Sequence, residues 1–442
     1  MPSMKYYSTN RKSDVVSFRE AAIEGLAPDG GLYFPENIPL HDNHFFDELK
    51  IKSTAEIAFR ILMPYVGDCM KEVELFDLVE QAFDFSIPLK EVQKDQFVLE
   101  LFHGNTLAFK DVGARFMSRC LGHFVRDKDR KMTVLVATSG DTGGAVADGF
   151  YGVEGVDVVI LFPSGKVSAV QEKQLTAMGG NIHAIEIEGD FDDCQRLVKQ
   201  AFSDTSLRKK IFLTSANSIN VARWIPQQLF YFMLWKQWPN EAELPVVAVP
   251  SGNFGNICAG LLAKKSGLPI KKFIAACNQN DVVPRFLENG QYETKNTIHT
   301  ISNAMDVGSP SNFVRMMELY NNDLVALKND LVAYRYTDVQ TEKKMLDTYS
   351  AFNYLLDPHG AVGLLALQTY QHHQSKAPGV FAATAHPIKF FDTVERVVGF
   401  KPDLPVSISK LMQKDSLSLR MPADYSLFKD YLSQKKFMSI EG

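Results

Sequence analysis

From about residue 100 onward, the sequence predicts an α/β fold in which a parallel β-sheet is covered by helices on both faces. Short runs rich in Val and Ile alternate there with segments of helical length, an alternation that is typical of parallel sheets. The runs are almost continuously apolar, as expected for strands that are buried on both faces. Two similar turns, in "TSGDTGGAVA" and "PSGNFGNICAG", each stand between a predicted strand and a predicted helix.

Length and composition indicate a globular protein of several domains. The chain has 442 residues, which is too many for one simple domain, and 45% of them are hydrophobic and 22% charged. A net charge of −5 and the lack of a dense basic block argue against a nucleic-acid partner. No apolar run reaches the length of a membrane span, so we expect no membrane partner.

The N-terminal segment and the cysteines predict a cytoplasmic location. "MPSMKYYSTNRKSDVV" is polar and lacks the apolar core of a secretion signal. The cysteines are scattered and form no CxxC pair. We therefore expect reduced thiols and no metal site. The cysteines are Cys69, Cys120, Cys194, Cys258 and Cys277.

In chain order, residues 1–98 predict a mixed α/β region that is partly helical. "SFREAAIEGLAPDGGLYFPENIP" is a short helix followed by a turn rich in Gly and Pro, and "STAEIAFRILMPYV" has helical spacing. The strands predicted beyond it lie at 132–138, 156–163, 181–187, 211–215, 245–251 and 271–277. The helices predicted between them lie at 167–178, 192–202 and 220–238. The tail from about residue 403 predicts peripheral helices with polar faces.

The two Gly-rich turns have the chemistry of anion sites. In the second turn, Gly252 and Gly255 permit close approach of the backbone to a ligand, and a helix N-terminus follows. Such a turn can also be a plain connection between a strand and a helix. Neither turn matches a P-loop or a dinucleotide fingerprint, which argues against a nucleotide site. Two such turns in one α/β region favour an anion site at the carboxyl ends of the strands.

Lys110, in "HGNTLAFKDVGARFM", stands at an unfavourable place for a cation. It follows the apolar Phe109 and begins a predicted helix, whose N-terminus prefers negative charge. Both features lower the pKa of an amine, and a free amine is what forms a Schiff base with a carbonyl compound. The alternative is a structural lysine whose stem packs on Phe109 while its ammonium reaches solvent. The local pattern leaves both readings open.

Eight segments in order give the chain a resemblance to the threonine synthase family of bacterial and fungal type. These segments are "FHGNTLAFKD", "ATSGDTGGAVA", "PSGK", "QEKQ", "NSIN", "VPSGNFGN", "SNAMDVGSP" and "TAHPIKF". The resemblance implies a fold type II enzyme that uses pyridoxal 5′-phosphate (PLP), similar to the tryptophan synthase β-subunit. In that fold, two open α/β domains enclose a central cleft. The family converts O-phospho-L-homoserine and water into L-threonine and phosphate.

The resemblance also implies which residues hold the cofactor. Lys110 matches the catalytic lysine that forms the Schiff base with PLP. Thr384 matches a threonine whose hydroxyl meets the pyridine nitrogen, and Asp141 stands where an Asn or Asp faces the 3-hydroxyl. The loop that cradles the cofactor phosphate matches Ser251, Gly252, Asn253, Phe254, Gly255 and Asn256.

A second group of residues is implied for the substrate. The loop that receives the substrate carboxylate resembles Ser139, Gly140 and Thr142, and Thr106 is assigned to the substrate as well. The substrate phosphate is assigned to Asn217, Ser218, Arg223 and Lys166. One departure is Asn105, which stands where the family commonly has proline; we expect it to have a small effect on the rigidity of the loop.

The resemblance leads to a domain prediction and leaves rival functions. We predict an N-terminal region at 1–98, a domain at 99–240 with the Schiff-base lysine and the substrate loops, and a domain at 241–442 with the phosphate loop. The sequence does not distinguish a monomer from a homodimer. The rivals are another fold type II lyase, such as a dehydratase or a sulfhydrylase, and a PLP-binding relative without activity.

Overall fold

A computed structural model describes residues 4–126 and 131–434 of the chain. Its strands are β1 (Lys5–Ser8), β2 (Val16–Ser17), β3 (Tyr33–Pro35), β4 (Leu89–Gln93), β5 (Gln96–Glu100), β6 (Met132–Ala137), β7 (Val156–Pro163), β8 (Ile182–Glu188), β9 (Phe212–Ser215), β10 (Val246–Pro250), β11 (Lys272–Cys277), β12 (Leu331–Arg335), β13 (Gly379–Ala383) and β14 (Ser418–Pro422).

The helices alternate with these strands. They are α1 (Phe18–Glu24), α2 (Asn43–Glu48), α3 (Thr54–Val66), α4 (Glu72–Ala82), α5 (Lys110–Val125), α6 (Asp141–Phe150), α7 (Ala169–Thr176), α8 (Phe191–Ser203), α9 (Thr205–Lys210), α10 (Val221–Trp224), α11 (Leu229–Gln237), α12 (Gly255–Lys265), α13 (Val282–Asn289), α14 (Phe313–Glu318), α15 (Leu324–Asp330), α16 (Asp338–Phe352), α17 (Pro358–His373), α18 (Phe391–Val398), α19 (Val406–Met412) and α20 (Tyr425–Ser433). Short 3-10 helices lie at Leu49–Ile51, Gly67–Cys69, Ile225–Gln228, Asn303–Met305 and Pro387–Phe390. None of the helices in the described residues has the length and apolar character needed to cross a membrane.

Two open sheets form the body of the protein. The larger sheet has the order β12-β11-β10-β13-β5-β4, and its strands are parallel except for β4. The smaller sheet has the order β14-β8-β7-β6-β9 and is parallel throughout. Every residue of β6, β7, β10 and β13 is buried, because helices cover both faces of these strands. The predicted α/β fold is confirmed.

The N-terminal region is mixed, as predicted, and its helices begin where the sequence provides caps. A small antiparallel sheet with the order β2-β1-β3 accompanies α1 to α4. Ser17 accepts a hydrogen bond from the backbone N–H of Glu20 at the start of α1, and Ser53 does the same for Glu56 at the start of α3. These reciprocal capping boxes stabilise both helix starts.

Two predicted segments differ from the structure for identifiable reasons. The helix predicted at 220–238 is divided into α10, a 3-10 segment and α11, because Pro226 lacks an N–H group and interrupts the helical hydrogen bonds. The tail contains a strand, β14, between α19 and α20. β14 is a largely exposed edge strand with little apolar character, so its sequence gave no sign of a strand.

Sheet membership does not follow chain order. β4 and β5 precede the other strands of the larger sheet by more than a hundred residues, and β14 returns to the smaller sheet from the tail. The segment 379–383 also lies between strands that are distant from it in sequence. The domain boundaries after residues 98 and 240 stay a prediction.

Candidate active site

The predicted site residues lie at the carboxyl ends of parallel strands. In the larger sheet, β10 leads into Ser251, β13 leads into Thr384, and β5 leads into the segment before Lys110. These three strands are neighbours, so their ends meet at one edge of the sheet. In the smaller sheet, β6 leads to Asp141 and the neighbouring β9 leads to Asn217. Such an edge is where ligands bind in open α/β sheets.

Backbone contacts fix the segment that carries Lys110. The N–H of Phe109 donates to the carbonyl oxygen of Thr384 at 2.9 Å, and the N–H of His386 donates to that of Leu107 at 3.0 Å. Leu107 has a φ of +58°, a rare conformation for a branched side chain. The contacts tie this segment to the end of β13 and start α5 at Lys110. The lysine therefore emerges beside Thr384.

Lys110 has the electrostatics that the sequence predicts. Its Nζ makes no hydrogen bond or ion pair with any residue in the described ranges and lies 5.9 Å from the centre of the Phe109 ring. Burial lowers the pKa of Lys110 to about 8, and Lys389 and Arg223 add to this effect while Asp141 opposes it. About a tenth of the amine is thus the free base at pH 7, a far larger fraction than for an ordinary lysine.

The loop between β10 and α12 forms a cradle of backbone donors. Within the described residues, no acceptor takes a hydrogen bond from the N–H groups of 252–257, and α12 begins without a side-chain cap. Phe254 has a φ of +60°, which turns the chain into the helix. Asn256 places a buried Nδ2 here that has no partner among the described residues. Free donors at a helix N-terminus fit a phosphate group.

Gly252 and Asn253 hold this cradle in place. A Cβ atom on Gly252 would lie 2.5 Å from the Cα of Met305, so only glycine fits there. The Nδ2 of Asn253 donates to Ser218 Oγ at 2.6 Å, and its Oδ1 accepts from the N–H of Ser311 at 2.6 Å. Because Ser218 follows a strand of the smaller sheet, these contacts link the ends of both sheets.

Asp141 lies at the start of α6 and is held by two donors. Its Oδ1 accepts from Lys389 Nζ at 2.8 Å and from Gln171 Nε2 at 2.9 Å. Burial works against its charge, but the ammonium groups of Lys389 and Lys110 outweigh it and hold the pKa of Asp141 well below its usual value. Asp141 is therefore ionised at neutral pH.

The loop around Asp141 offers a second set of backbone donors. Gly140 has a φ of +133°, and a Cβ atom there would lie 2.5 Å from the side chain of Gln171. Thr138 Oγ1 accepts from the N–H of Gly140 at 3.0 Å, which fixes the turn. No acceptor in the described part of the chain engages the N–H groups of Ser139 and Thr142. These donors suit a carboxylate.

The residues assigned to the substrate phosphate are only partly brought together. Ser218 contacts the cradle, whereas Asn217 donates from Nδ2 to the Ala137 carbonyl at 3.0 Å. Arg223 is buried and donates from Nη1 to the Ala216 carbonyl at 2.9 Å, and its buried Nε has no partner in the part of the chain that the structure describes. Burial lowers the pKa of Arg223 to about 10, opposed by Asp111. Lys166 is exposed in the loop after β7.

The segment between Gly104 and Lys110 is tightly bonded. Both Thr106 N–H (2.9 Å) and Thr106 Oγ1 donate to the carboxylate of Asp111, and burial raises the pKa of Asp111 to about 6. The Nδ2 of Asn105, the departure from the family pattern, donates to both carboxylate oxygens of Asp148 at 3.1 and 3.2 Å. Asn105 thus makes a side-chain contact that a proline would lack.

Sequence reasoning missed two buried cations near the site. Lys389 is fully buried and contacts Asp141. Arg315 is also fully buried and donates to the carbonyl oxygens of Ser218 and Ile219, to that of Tyr33, and to Asn312 Oδ1. Lys389 lies in "TAHPIKF", one of the segments that resemble the family, so that motif could have pointed to it. No motif marks Arg315.

The arrangement defines a class of protein. The family model described as "Pyridoxal-phosphate dependent enzyme" matches residues 87–384. A lysine amine without a partner, a phosphate cradle and a free Thr384 hydroxyl are the groups that PLP needs, and Thr384 Oγ1 makes no hydrogen bond within the described residues. The residues present fit this cofactor. The chain is a PLP-dependent enzyme, and the predicted fold type II architecture is confirmed.

Further comparisons narrow the class. Models described as "Threonine synthase N terminus" and "Threonine synthase, C-terminal" match residues 5–83 and 360–432. Threonine synthase of Haemophilus influenzae is 44% identical over 430 residues, which are 97% of this chain and 99% of that protein. The crystal structure of threonine synthase from Escherichia coli has a TM-score of 0.90 at 43% identity, covering 97% of this chain and 99% of that one. The PLP-bound threonine synthase from Brucella melitensis has a TM-score of 0.91 at 37% identity, covering 98% and 99%. The chain belongs to the threonine synthase family.

Proposed function

We propose that this chain converts O-phospho-L-homoserine and water into L-threonine and inorganic phosphate. The observation that carries the proposal is the Lys110 amine, which makes no hydrogen bond or ion pair within the described residues and begins α5 directly after a segment bonded to the end of β13. Full-length similarity to threonine synthases supports the choice of reaction over that of a dehydratase or a sulfhydrylase. The enzyme is then a lyase of threonine biosynthesis.

In this proposal, the residues around Lys110 hold the cofactor. Lys110 would bind the PLP aldehyde, the free backbone N–H groups of 252–256 would bind the phosphate, and the Thr384 hydroxyl would meet the pyridine nitrogen. Asp141 would face the 3-hydroxyl group. Bound PLP supplies a ring that stabilises negative charge at the carbon next to the substrate amine.

Lys110 also moves protons. Once its nitrogen is free, the amine takes the proton from the substrate Cα, a step that requires the uncharged base. A pKa of about 8 leaves a useful fraction of this base at neutral pH, whereas an ordinary lysine would be almost fully charged. The Thr384 hydroxyl, unlike a carboxylate, would not favour protonation of the pyridine nitrogen, and this would restrain side reactions such as transamination.

The substrate binds through both of its acidic groups. We assign its carboxylate to Ser139, Gly140, Thr142 and Thr106, at the start of α6. We assign its phosphate to Arg223, with Asn217, Ser218 and Lys166. The unpartnered Nε of Arg223 supports this assignment, because a buried guanidinium donor requires an acceptor. We place the reaction in the cytoplasm, in keeping with five free thiols, of which four are buried.

Phosphate release tests the function. The purified chain loaded with PLP is given O-phospho-L-homoserine, and inorganic phosphate and threonine are measured together. We expect both products in equal amounts, and no turnover of L-serine or O-acetyl-L-serine at a comparable rate. A chain that shows PLP absorbance but releases no phosphate would contradict the proposal and favour an inactive PLP-binding relative.

A further inference from the structure

Lys389 is a buried cation whose backbone position is fixed. Its side chain has no exposed surface, and it lies in the 3-10 helix Pro387–Phe390. His386 Nδ1 accepts from the N–H of Ile388 at 3.2 Å and caps this short helix, and Pro387 fixes its first turn. The lysine therefore has little freedom to move away from its partners.

The Lys389 ammonium joins the two segments on which the proposed chemistry depends. It donates to Asp141 Oδ1 at 2.8 Å, in the loop after β6 of the smaller sheet. It also donates to the carbonyl oxygen of Thr106 at 2.8 Å, in the segment that leads from the larger sheet to Lys110. Gln171 and Gln174 bond the same two acceptors, at 2.9 and 3.0 Å. The cation thus sits between the two sheets.

A contribution to stability does not by itself explain why the chain has a buried ion pair between Lys389 and Asp141. Taking two charges out of water costs about as much as their attraction returns, and apolar residues of similar volume often serve as well. Gln171 and Gln174 already satisfy both acceptors in part. The charge of Lys389 therefore calls for a role beyond bonding the two loops.

We propose that Lys389 is a positioning residue, which holds Asp141 ionised and oriented and, together with Asp141, sets the balance of charge around the Lys110 amine. This inference rests on the roles proposed above for Lys110 and Asp141. Three charged groups act electrostatically on Lys110, namely Asp141 on α6, Lys389 on the 3-10 helix and Arg223 on α10. On α5 itself, the carboxylate of Asp111 is bonded to Thr106.

The two members of the pair act on Lys110 with opposite sign. The carboxylate of Asp141 favours the charged amine, and the ammonium of Lys389 disfavours it. Removing Lys389 takes away a repelling cation and also frees Asp141 to attract Lys110, so both effects raise the pKa of Lys110. Removing the charge of Asp141 lowers it. Removing both charges leaves a smaller net change than either single substitution.

Competitive labelling of Lys110 in the full chain freed of PLP tests this inference. A trace of an acylating reagent is added at a series of pH values, and mass spectrometry measures its incorporation at Lys110 relative to exposed lysines in the same digest. The variants are Lys389→Met, Asp141→Asn and the double substitution, which keep side-chain size. Lys389→Arg retains the charge and serves as the matched control.

We expect the labelling midpoint of Lys110 to rise by about one pH unit or more in Lys389→Met. Labelling at pH 7 then falls by about tenfold. The midpoint falls in Asp141→Asn, returns towards that of the unmodified chain in the double variant, and is retained in Lys389→Arg. Thermal melting shows whether Lys389→Met folds. If it does not, the midpoints of Asp141→Asn and of the double variant still show whether the two charges shift the midpoint of Lys110 in opposite directions. A common midpoint in all folded variants would overturn the inference and leave Lys389 a structural residue.

This outcome is separate from that of the proposed function. Labelling requires neither PLP nor O-phospho-L-homoserine, so it can succeed in a chain that releases no phosphate. Conversely, the chain could make threonine while Lys389→Met leaves the labelling midpoint of Lys110 unchanged. That result would refute only the role given to Lys389.

Discussion

Replacing Gly252 with alanine perturbs the phosphate cradle at its most crowded point. The new methyl carbon would lie 2.5 Å from Met305 Cα and 3.0 Å from the carbonyl carbon and oxygen of Met305. Carbon atoms in contact prefer a separation of about 3.5–4.0 Å, so a gap of about 1 Å must open. The N–H of Met305 donates to Ser302 O at 2.9 Å, and Met305 O accepts from Val307 at 2.9 Å, so this backbone resists movement.

We therefore expect the loop that carries the backbone N–H donors to shift, and the backbone at Met305 to stay in place. Overpacking of this kind costs about 1–3 kcal/mol. If that strain appears in the cofactor complex, the Kd for PLP rises by about 5- to 150-fold. Equilibrium dialysis of the chain against PLP measures this Kd, and thermal melting of the PLP-free chain shows whether the variant is folded.

Gly255→Ala is the matched control in the same loop. Its new methyl carbon would lie 3.2 Å from Asn312 Nδ2 and 3.7 Å from Ser218 Cβ, so the shift required is only a few tenths of an ångström. We expect its Kd to rise less than about fivefold. An unchanged Kd in Gly252→Ala, or a larger rise in Gly255→Ala than in Gly252→Ala, would refute the reasoning.

Three further predictions concern single charged residues. Arg223→Ala removes a charge-assisted donor, so the KM for O-phospho-L-homoserine should rise at least about tenfold while PLP absorbance is retained; loss of PLP with an unchanged KM would contradict its role. Arg315→Met leaves several buried oxygens without a donor, so the free energy of unfolding in urea should fall by about 3–5 kcal/mol. The control is Arg420→Met, which removes an exposed ion pair and should change this free energy by less than about 1 kcal/mol. Burial alone would raise the pKa of the Glu100 carboxyl, but its contacts with His103, Lys90 and Tyr354 lower that pKa to about 2. The stability that these contacts give the fold is therefore present above about pH 4.5 and is lost as the pH falls towards 2. The stability difference between the unmodified chain and Glu100→Gln, about 3 kcal/mol at neutral pH, should vanish over that range; a difference that does not depend on pH would contradict this assignment.

Patterns of neighbouring residues are sufficient to predict the elements that depend only on nearby sequence. The strand predicted at 156–163 has the same bounds in the structure, because seven of its eight residues are apolar. The position of Lys110 at the first turn of a helix also followed from the spacing of apolar residues after it. These features depend on neighbouring residues in sequence, and single-sequence reasoning can read them.

Contacts between distant segments could not be read in the same way. The order of strands in the larger sheet places β5 beside β13, nearly three hundred residues later, and no periodicity encodes that pairing. The contacts of Lys389 with Asp141 and Thr106 span similar distances along the chain. Thr384 was assigned by family resemblance, because a hydroxyl at the end of a strand carries no signal of its own.

The most direct test of the account is to identify the lysine that holds PLP. The purified chain with its cofactor is reduced with borohydride, digested and examined by mass spectrometry for the peptide that carries the pyridoxyl group. We expect one modified peptide, with the label on Lys110 and with loss of the visible absorbance band. A label on another lysine, Lys389 included, or no label after full reduction, would contradict the central role given to Lys110.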